Sequence, residues 1–585
     1  MLKILKRFHK FLLSYKKQFF SFLFLMILTT ILQNLSPYIY KLLVDAIPSQ
    51  NYQLLINIIL LFVGLKLLTN FLENLAYYIG DKVLIPASRD ARVLIFRRVQ
   101  DLDFTFHVNK STGALISAFK RGDGAFFTFF DNLYHDIIVI IVGLFVVLFF
   151  FSKITPLISI LMILIFIING IISWRLVKIN IQRRTAFNLA EDKISGIITD
   201  NLINYETVKF FAQEQREETR LEQEFEDWSV KIWEYFNSFR LMDLTIGTLS
   251  TLGVLLIFQI IIQKLINGEI TTGDMIMVAT FLTGFYYQFF HLLYKLRNIA
   301  KCYVDLENYF SILDNEILIK DPESPIKVKG IKGEIKFKNI NFKYPESKKN
   351  VLNNINLHIK PNESVAFVGR SGVGKTTLIK LLLRFYDADK GAVLIDGIDI
   401  KNFTKSQLRS FIGIVPQEPI LFNNTIEFNI GYGNEKAKRK DIVRVSKMAN
   451  LHDFIESLPK KYKTQVGERG IKLSGGQKQR LAIARMILSN PEIIIFDEAT
   501  SQLDSNSEKL IQNSLWKISK NKTLLIIAHR FSTVRRAKRI VVMEKGKIAE
   551  TGSHEQLIKK KGLYYYFWRL QVLQSEKERD PNLLR

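Results

Sequence analysis

Apolar runs long enough to cross a bilayer crowd into the first half of the chain, and the second half offers none. A helix needs about 20 apolar residues to traverse the hydrocarbon core. Six stretches qualify, approximately Phe19 to Tyr40, Leu54 to Tyr78, Leu133 to Phe151, Ile154 to Trp174, Leu244 to Gln263 and Met275 to Tyr294. Short connections follow the first, third and fifth, whereas charged segments of about 50 and 70 residues, by these span limits, follow the second and fourth. Such segments predict helical extensions that carry the spans into the aqueous phase. After Leu313 the texture changes to DNEILIKDPESPIKVKGIKG, rich in Pro, Gly and charge, which reads as a linker. Beyond it, short apolar runs (GEIKFKNI, ESVAFVG, AVLIDG, EIIIFDE, TLLIIAH) alternate with helical stretches, the pattern of an α/β domain whose buried strands run parallel. The predicted organisation is a helical membrane domain over 1–313, a linker over 314–332, an α/β domain over 333–575 and a tail over 576–585.

Composition agrees with this segregation, since 48% of the 585 residues are hydrophobic and yet 81 are basic and 55 acidic. The formal net charge of +26 raises the question of nucleic acid. Its distribution answers it. The basic residues cluster beside apolar runs: Lys82, Arg89, Arg92, Arg97, Arg98, Lys120 and Arg121 after the second, Arg183, Arg184, Lys193, Lys209, Arg216 and Arg220 after the fourth. Lys and Arg beside spans mark the cytoplasmic side, and Lys3, Lys6, Arg7, Lys10, Lys16 and Lys17 fall there too, so both termini are expected inside and no nucleic-acid partner is expected. The first 20 residues are basic and amphipathic with no small-residue cleavage site, which reads as a helix lying on the lipid surface. Cys302 is the only cysteine, which rules out a disulfide within the chain.

The strongest chemical signal is Gly369-Arg370-Ser371-Gly372-Val373-Gly374-Lys375-Thr376-Thr377, set between a strand-like SVAFVG and a helix-like TTLIKLLLRF. Glycines let backbone N–H groups curl around phosphate, and the following helix N-terminus adds its dipole. Lys375 is expected to reach the β- and γ-phosphates of ATP and Thr376 to ligate Mg²⁺. Downstream, the apolar run Ile493 to Phe496 ends in Asp497 and Glu498. One carboxylate on the metal and one on the attacking water is a sensible division for phosphoryl transfer, with Asp497 and Glu498 in those roles.

With Leu473-Ser474-Gly475-Gly476-Gln477, the chain resembles the ATP-binding cassette (ABC) transporters, specifically six-span exporter half-transporters, and the resemblance covers its whole length. It implies a six-span helical membrane domain of the type I exporter (type IV ABC) fold joined to an α/β P-loop nucleotide-binding domain. By resemblance Tyr344 stacks on adenine, Gln417 senses Mg²⁺, His529 contacts the γ-phosphate, and Ser501 to Asp504 meet a partner cassette, Gln502 standing where Ala is usual. Ser474 to Gln477 would complete the ATP site of a second copy, so a dimer is implied, with a homodimer and a heterodimer both open. Glu468, in TQVGERG, would couple to the intracellular helices. Membrane domain and cassette on one chain, in that order, point to export.

Phe106-His107, Thr112 to Leu115, Arg121-Gly122 and Asn204 to Phe211 resemble the mitochondrial and bacterial subfamily that exports glutathione-linked compounds and includes heavy-metal-tolerance transporters. Arg183 and Arg184 suit carboxylate-bearing thiol peptides, although a positive-inside cluster explains them equally, and the fifth span reads TIGTLSTLGVLLIFQ where the subfamily carries an Asn-x-Gly-Gln pattern. Lys66 and Glu73 lie two helical turns apart within a span and are further candidate substrate contacts. The expected cargo is a thiol conjugate or amphipathic organic anion, with a lipid or lipid-linked flippase and a multidrug or peptide exporter as alternatives. The expected membrane is bacterial plasma membrane, with mitochondrial inner membrane as the alternative.

Overall fold

The computed structural model describes residues 2–109, 112–467, 470–498, 505–527 and 531–570. It divides into two compact units, one of Met1–Leu102 with His107–Glu316, the other of Asp103–Phe106 with Ile317–Arg585.

The first unit is helical: α1 Leu2–Leu13, α2 Lys16–Gln33, α3 Ser36–Ala46, α4 Tyr52–Asp101, α5 Phe104–Asn109 (whose first residues belong to the second unit), α6 Thr112–Phe130, α7 Ile138–Ile154, α8 Pro156–Ile203, α9 Tyr205–Phe210, α10 Glu214–Ile266 and α11 Thr272–Ser311. Among the described residues five segments have the length and apolarity to cross a membrane: Lys16–Ser49, Tyr52–Asp101, Ala118–Ile154, Pro156–Ile203 and Glu214–Ile266. The sixth expected stretch, Met275 to Tyr294, falls within α11, where many side chains lie outside the description. The expected extensions are continuous with their spans, as α4, α8 and α10 run for 50, 48 and 53 residues. Asn51 starts α4 by accepting a bond from Leu54 N, and Pro156 opens α8 where its missing N–H costs nothing.

The first apolar stretch is not one helix. It breaks between α2 and α3, where Pro37 can neither donate to nor pack against the preceding turn. A seven-residue π-helix, Asp131–Ile137, likewise precedes α7.

Helices α8 and α10 form an antiparallel hairpin whose register holds from end to end. Asn201 donates to Glu217 at 2.9 Å, Phe187 stacks on Tyr235, Asn180 donates to Ser238 at 2.8 Å, and a Cβ on Gly253 would meet Ile165 at 2.5 Å. That register sets Asn169 level with Ser250, both buried.

At the opposite ends of their helices, α3 and the start of α11 are tied together. Lys41 Nζ pairs with Asp274 at 2.5 Å, and the Asp45 carboxylate accepts from Gly273 N at 3.0 Å and Thr271 Oγ1 at 2.9 Å. Gly273 is required there, because a Cβ would sit 2.6 Å from Lys41 O.

The amphipathic N-terminal helix differs from the sequence expectation. Its apolar face, Ile4, Phe8 and Leu12, is buried in the protein, with Phe8 against Phe126 and Phe129 at ring distances of 4.7 and 5.0 Å. Sequence patterning reports that a face is apolar; it does not say whether lipid or protein covers it.

The second unit holds a six-stranded sheet and a four-stranded sheet. The strands are β1 Ile335–Phe342, β2 Leu352–Ile359, β3 Ser364–Val368, β4 Lys390–Ile395, β5 Ile398–Asp399, β6 Ile412–Val415, β7 Ile493–Asp497, β8 Thr523–Ile527, β9 Arg539–Glu544 and β10 Lys547–Gly552. The larger sheet has the order β10-β9-β3-β8-β7-β6, parallel apart from the β9–β10 pair. Its central strands β3 and β8 are buried at every position, as continuous apolar runs require when helices cover both faces. The smaller sheet, β2-β1-β4-β5, is antiparallel throughout, with the half-buried alternation expected of such strands.

Candidate functional site

At the carboxyl end of β3 the chain turns through Gly369 to Gly374 into α12, Lys375–Leu382. Gly372 and Gly374 have φ of +79° and +109°, a region that side chains disfavour. At Gly374 a Cβ would also lie 2.6 Å from Leu352 Cδ2. Lys375 is 5% exposed and its ammonium donates to Gly369 O at 2.8 Å and Arg370 O at 3.1 Å, folding back over the loop. Burial pushes its pKa below the usual lysine value, against the opposing charges of Glu498 and Asp497. Both carboxylates therefore lie within electrostatic range of the loop lysine. The two threonines diverge: Thr376 is exposed, whereas Thr377 is buried with its hydroxyl 3.0 Å from Tyr344 Oη.

Asp497 closes β7, level with Ile527 of β8. Glu498 N donates to Ile527 O at 2.8 Å, and Glu498 itself adopts φ +47°. A non-glycine residue in the left-handed region stores strain that its surroundings must hold.

Gln417 follows β6, the strand beside β7; its side chain is exposed and its carbonyl accepts from the buried Gln479 at 2.6 Å. Ser474 is the N-cap of the helix Gly475–Ser489, its hydroxyl accepting from Gln477 N at 3.4 Å while Gln477 Oε1 accepts from Ser474 N at 2.8 Å. This capping box leaves Ser474 and Gly475 exposed at a helix N-terminus, a natural anion site. His529, Ser501 to Asp504 and Glu468 lie outside the described residues.

Tyr344 stands beside α12, edge-on to Phe342 and Tyr386, with the Lys380 ammonium 5.6 Å from its ring centre. The same ammonium lies 5.4 Å from the ring centre of Phe104, which stacks on Phe385 at 5.0 Å. Asp103 accepts from Leu318 N and Ile319 N at 2.5 and 3.2 Å. The sequence motifs point to Phe106-His107 and not to Asp103-Phe104, because a lone acidic-aromatic pair carries no motif.

The membrane candidates are dispersed. Glu73 accepts from Gln33 Nε2 at 2.9 Å, while the exposed Lys66 reaches back over Phe62. Arg183 donates to Glu234 O at 3.0 Å, and Arg184 lies over the Tyr235 ring with its Nη1 3.4 Å from that hydroxyl, so both arginines contact α10.

Two family models match the chain, "ABC transporter" over residues 352–501 and "ABC transporter transmembrane region" over 19–289. Heavy metal tolerance factor 1 of Caenorhabditis elegans is 33% identical over 94% of this chain and 70% of its own length. ATP-binding cassette sub-family B member 6 of Homo sapiens is 35% identical over 88% of this chain, which spans only 61% of that protein. A solved bacterial Atm1-family ABC exporter with ATP bound superimposes with a TM-score of 0.85 at 32% identity, covering 95% of this chain and 98% of the other. A helical membrane unit of exporter type, an α/β unit with a phosphate loop opposite paired carboxylates, and these likenesses make the chain a multi-pass membrane protein of the ABC transporter family, an ATP-hydrolysing half-transporter of the group containing Atm1 and the heavy-metal-tolerance exporters.

Proposed function

We propose that two copies of this chain form an exporter that moves a thiol conjugate or amphipathic organic anion out of the cytosol, with both termini inside and a bacterial plasma membrane as its seat. The observation that carries the dimer is the exposed Ser474-Gly475 cap. A helix N-terminus with uncommitted N–H groups suits a γ-phosphate held by another copy's phosphate loop.

At each site Tyr344 stacks on adenine, the backbone of Gly369 to Gly374 wraps the phosphates, and Lys375 exchanges the Gly369 and Arg370 carbonyls for phosphate oxygens. The Thr376 hydroxyl, the Asp497 carboxylate and the Gln417 amide form an all-oxygen donor set of the kind Mg²⁺ prefers, and the exposure of Thr376 and Gln417 fits that use. Bound there, the ion neutralises charge on the transferred phosphoryl group. Glu498 polarises the attacking water, and His529 contacts the γ-phosphate. Closure of two such sites drives the spans from inward- to outward-facing, and hydrolysis resets them.

The cargo reading rests on Arg183 and Arg184, whose guanidinium groups suit carboxylates, and on the heavy-metal tolerance in the name of the worm relative. ATPase activity in proteoliposomes, titrated with oxidised glutathione, a glutathione conjugate and phospholipid in parallel, tests it. Stimulation by the thiol compounds supports the reading. Silence to every thiol with stimulation by lipid replaces it with a flippase.

A further inference from the structure

The lysines of the N-terminal helix serve two different purposes. Lys3 and Arg7 are paired within the protein, both to Asp314 at 3.1 and 3.0 Å, and Arg7 also donates to Phe310 O at 3.0 Å. Lys6 and Lys10 lie on the same polar side of the helix but have no such partner among the described residues. They are one turn apart and roughly opposite the buried Phe8 on the helix circumference. Both are exposed, as are Lys16 and Lys17 at the start of α2, and none of the four has an ion-pair partner among the described residues.

Their height relative to the bilayer follows from the chain itself. Lys16 opens the first candidate span, and only Ser14 and Tyr15 separate α1 from α2, so all four ammonium groups fall at or beside the headgroup layer. The helix is fixed in place by its apolar face and by side-chain bonds at both ends of the connection. His9 Nε2 lies 2.7 Å from Tyr134 Oη, and Tyr15 Oη donates to Asp90 at 2.7 Å. An amphipathic helix that inserts into lipid spends its apolar face on acyl chains; here that face is committed to protein, and what is left for the membrane is charge.

We propose that Lys6, Lys10, Lys16 and Lys17 form a docking site for anionic phospholipid headgroups on the cytoplasmic leaflet. The occupant follows from charge complementarity: four unpaired ammonium groups at headgroup height match a phosphodiester of net negative charge, while a zwitterionic headgroup brings its own cation to the same place.

The test uses the purified full-length protein in lipid nanodiscs of phosphatidylcholine alone or mixed with phosphatidylglycerol, reading retained lipid by native mass spectrometry. Discs expose both faces, so an inverted topology does not confound the result. The wild type is expected to enrich phosphatidylglycerol over phosphatidylcholine about threefold or more. The fourfold Lys6→Gln, Lys10→Gln, Lys16→Gln, Lys17→Gln variant loses that preference while its ATPase rate in pure phosphatidylcholine stays at the wild-type value. The matching fourfold Lys→Arg variant keeps the preference, which separates lost charge from lost folding. No preference in the wild type, or an undiminished preference in the Gln variant, overturns the proposal.

Discussion

At the scale of single residues, two strained backbone positions, Gly374 and Glu498, sit where phosphate chemistry is expected. Gly374 combines a left-handed φ with a neighbour 2.6 Å from any added Cβ. Gly374→Ala is therefore expected to cost the cassette ~1 kcal/mol or more from backbone strain alone, before any crowding against Leu352. The readout is a lowered melting temperature with weakened nucleotide binding. Glu498 holds a φ of +47°, a strained value for a residue that carries a side chain. If Glu498 polarises water, Glu498→Gln keeps ATP binding and slows turnover by about 10²-fold or more. An unchanged turnover number would remove Glu498 from that role. The Lys375 ammonium, held on two carbonyls, is expected to behave differently: Lys375→Ala weakens binding of ATP itself, measured by equilibrium titration with a fluorescent analogue.

At the scale of elements, ties between distant segments set where the fold yields first. Arg7, hydrogen-bonded to Asp314, together with Lys3 holds that carboxyl at a pKa of about 2, below its ordinary 3.8. The folded-state value is depressed, so this contribution to stability is present above pH 3.8 and fades as pH falls from there toward 2. Hydrogen exchange in α1 should rise across that window, and Asp314→Asn should bring the faster exchange to neutral pH. His554, whose Nδ1 lies 2.7 Å from Tyr564 Oη, is shifted down from 6.5 chiefly by burial and also by Arg535. Its stabilising share is complete above pH 6.5 and is lost as pH drops through the folded value, so the packing of Tyr564 loosens on mild acidification and is restored to pH independence by His554→Gln.

Legibility from sequence also divides by element. The 20-residue apolar runs and the strand-loop-helix around Lys375 were readable because each rests on a local pattern with one physical meaning. The break at Pro37 and the π turn at Asp131 were not, since an apolar run looks the same whether or not its hydrogen-bond ladder shifts. The covered face of α1, the antiparallel small sheet and the Phe104 stack depend on what lies opposite them, which no local periodicity encodes.

At the scale of the whole molecule, the proposed sharing of an ATP site between two chains has a consequence that complementation can reveal. Lys375→Ala and Ser474→Arg each disable a different half of the proposed site. A mixed dimer of the two variants has one site with both defects and one with neither. Co-purified mixed dimers are thus expected to recover substantial ATPase activity that neither variant shows alone; no recovery would place both residues in a site confined to one chain. The membrane unit adds its own constraint through the tie among Lys41, Asp45, Gly273 and Asp274. An ion pair at a span's end, with side chains 25% and 10% exposed, lies where water is scarce and parting is costly. The tied ends of α3 and α11 therefore travel as one rod, and a transport cycle that spreads the spans at that end must find its seam elsewhere in the bundle.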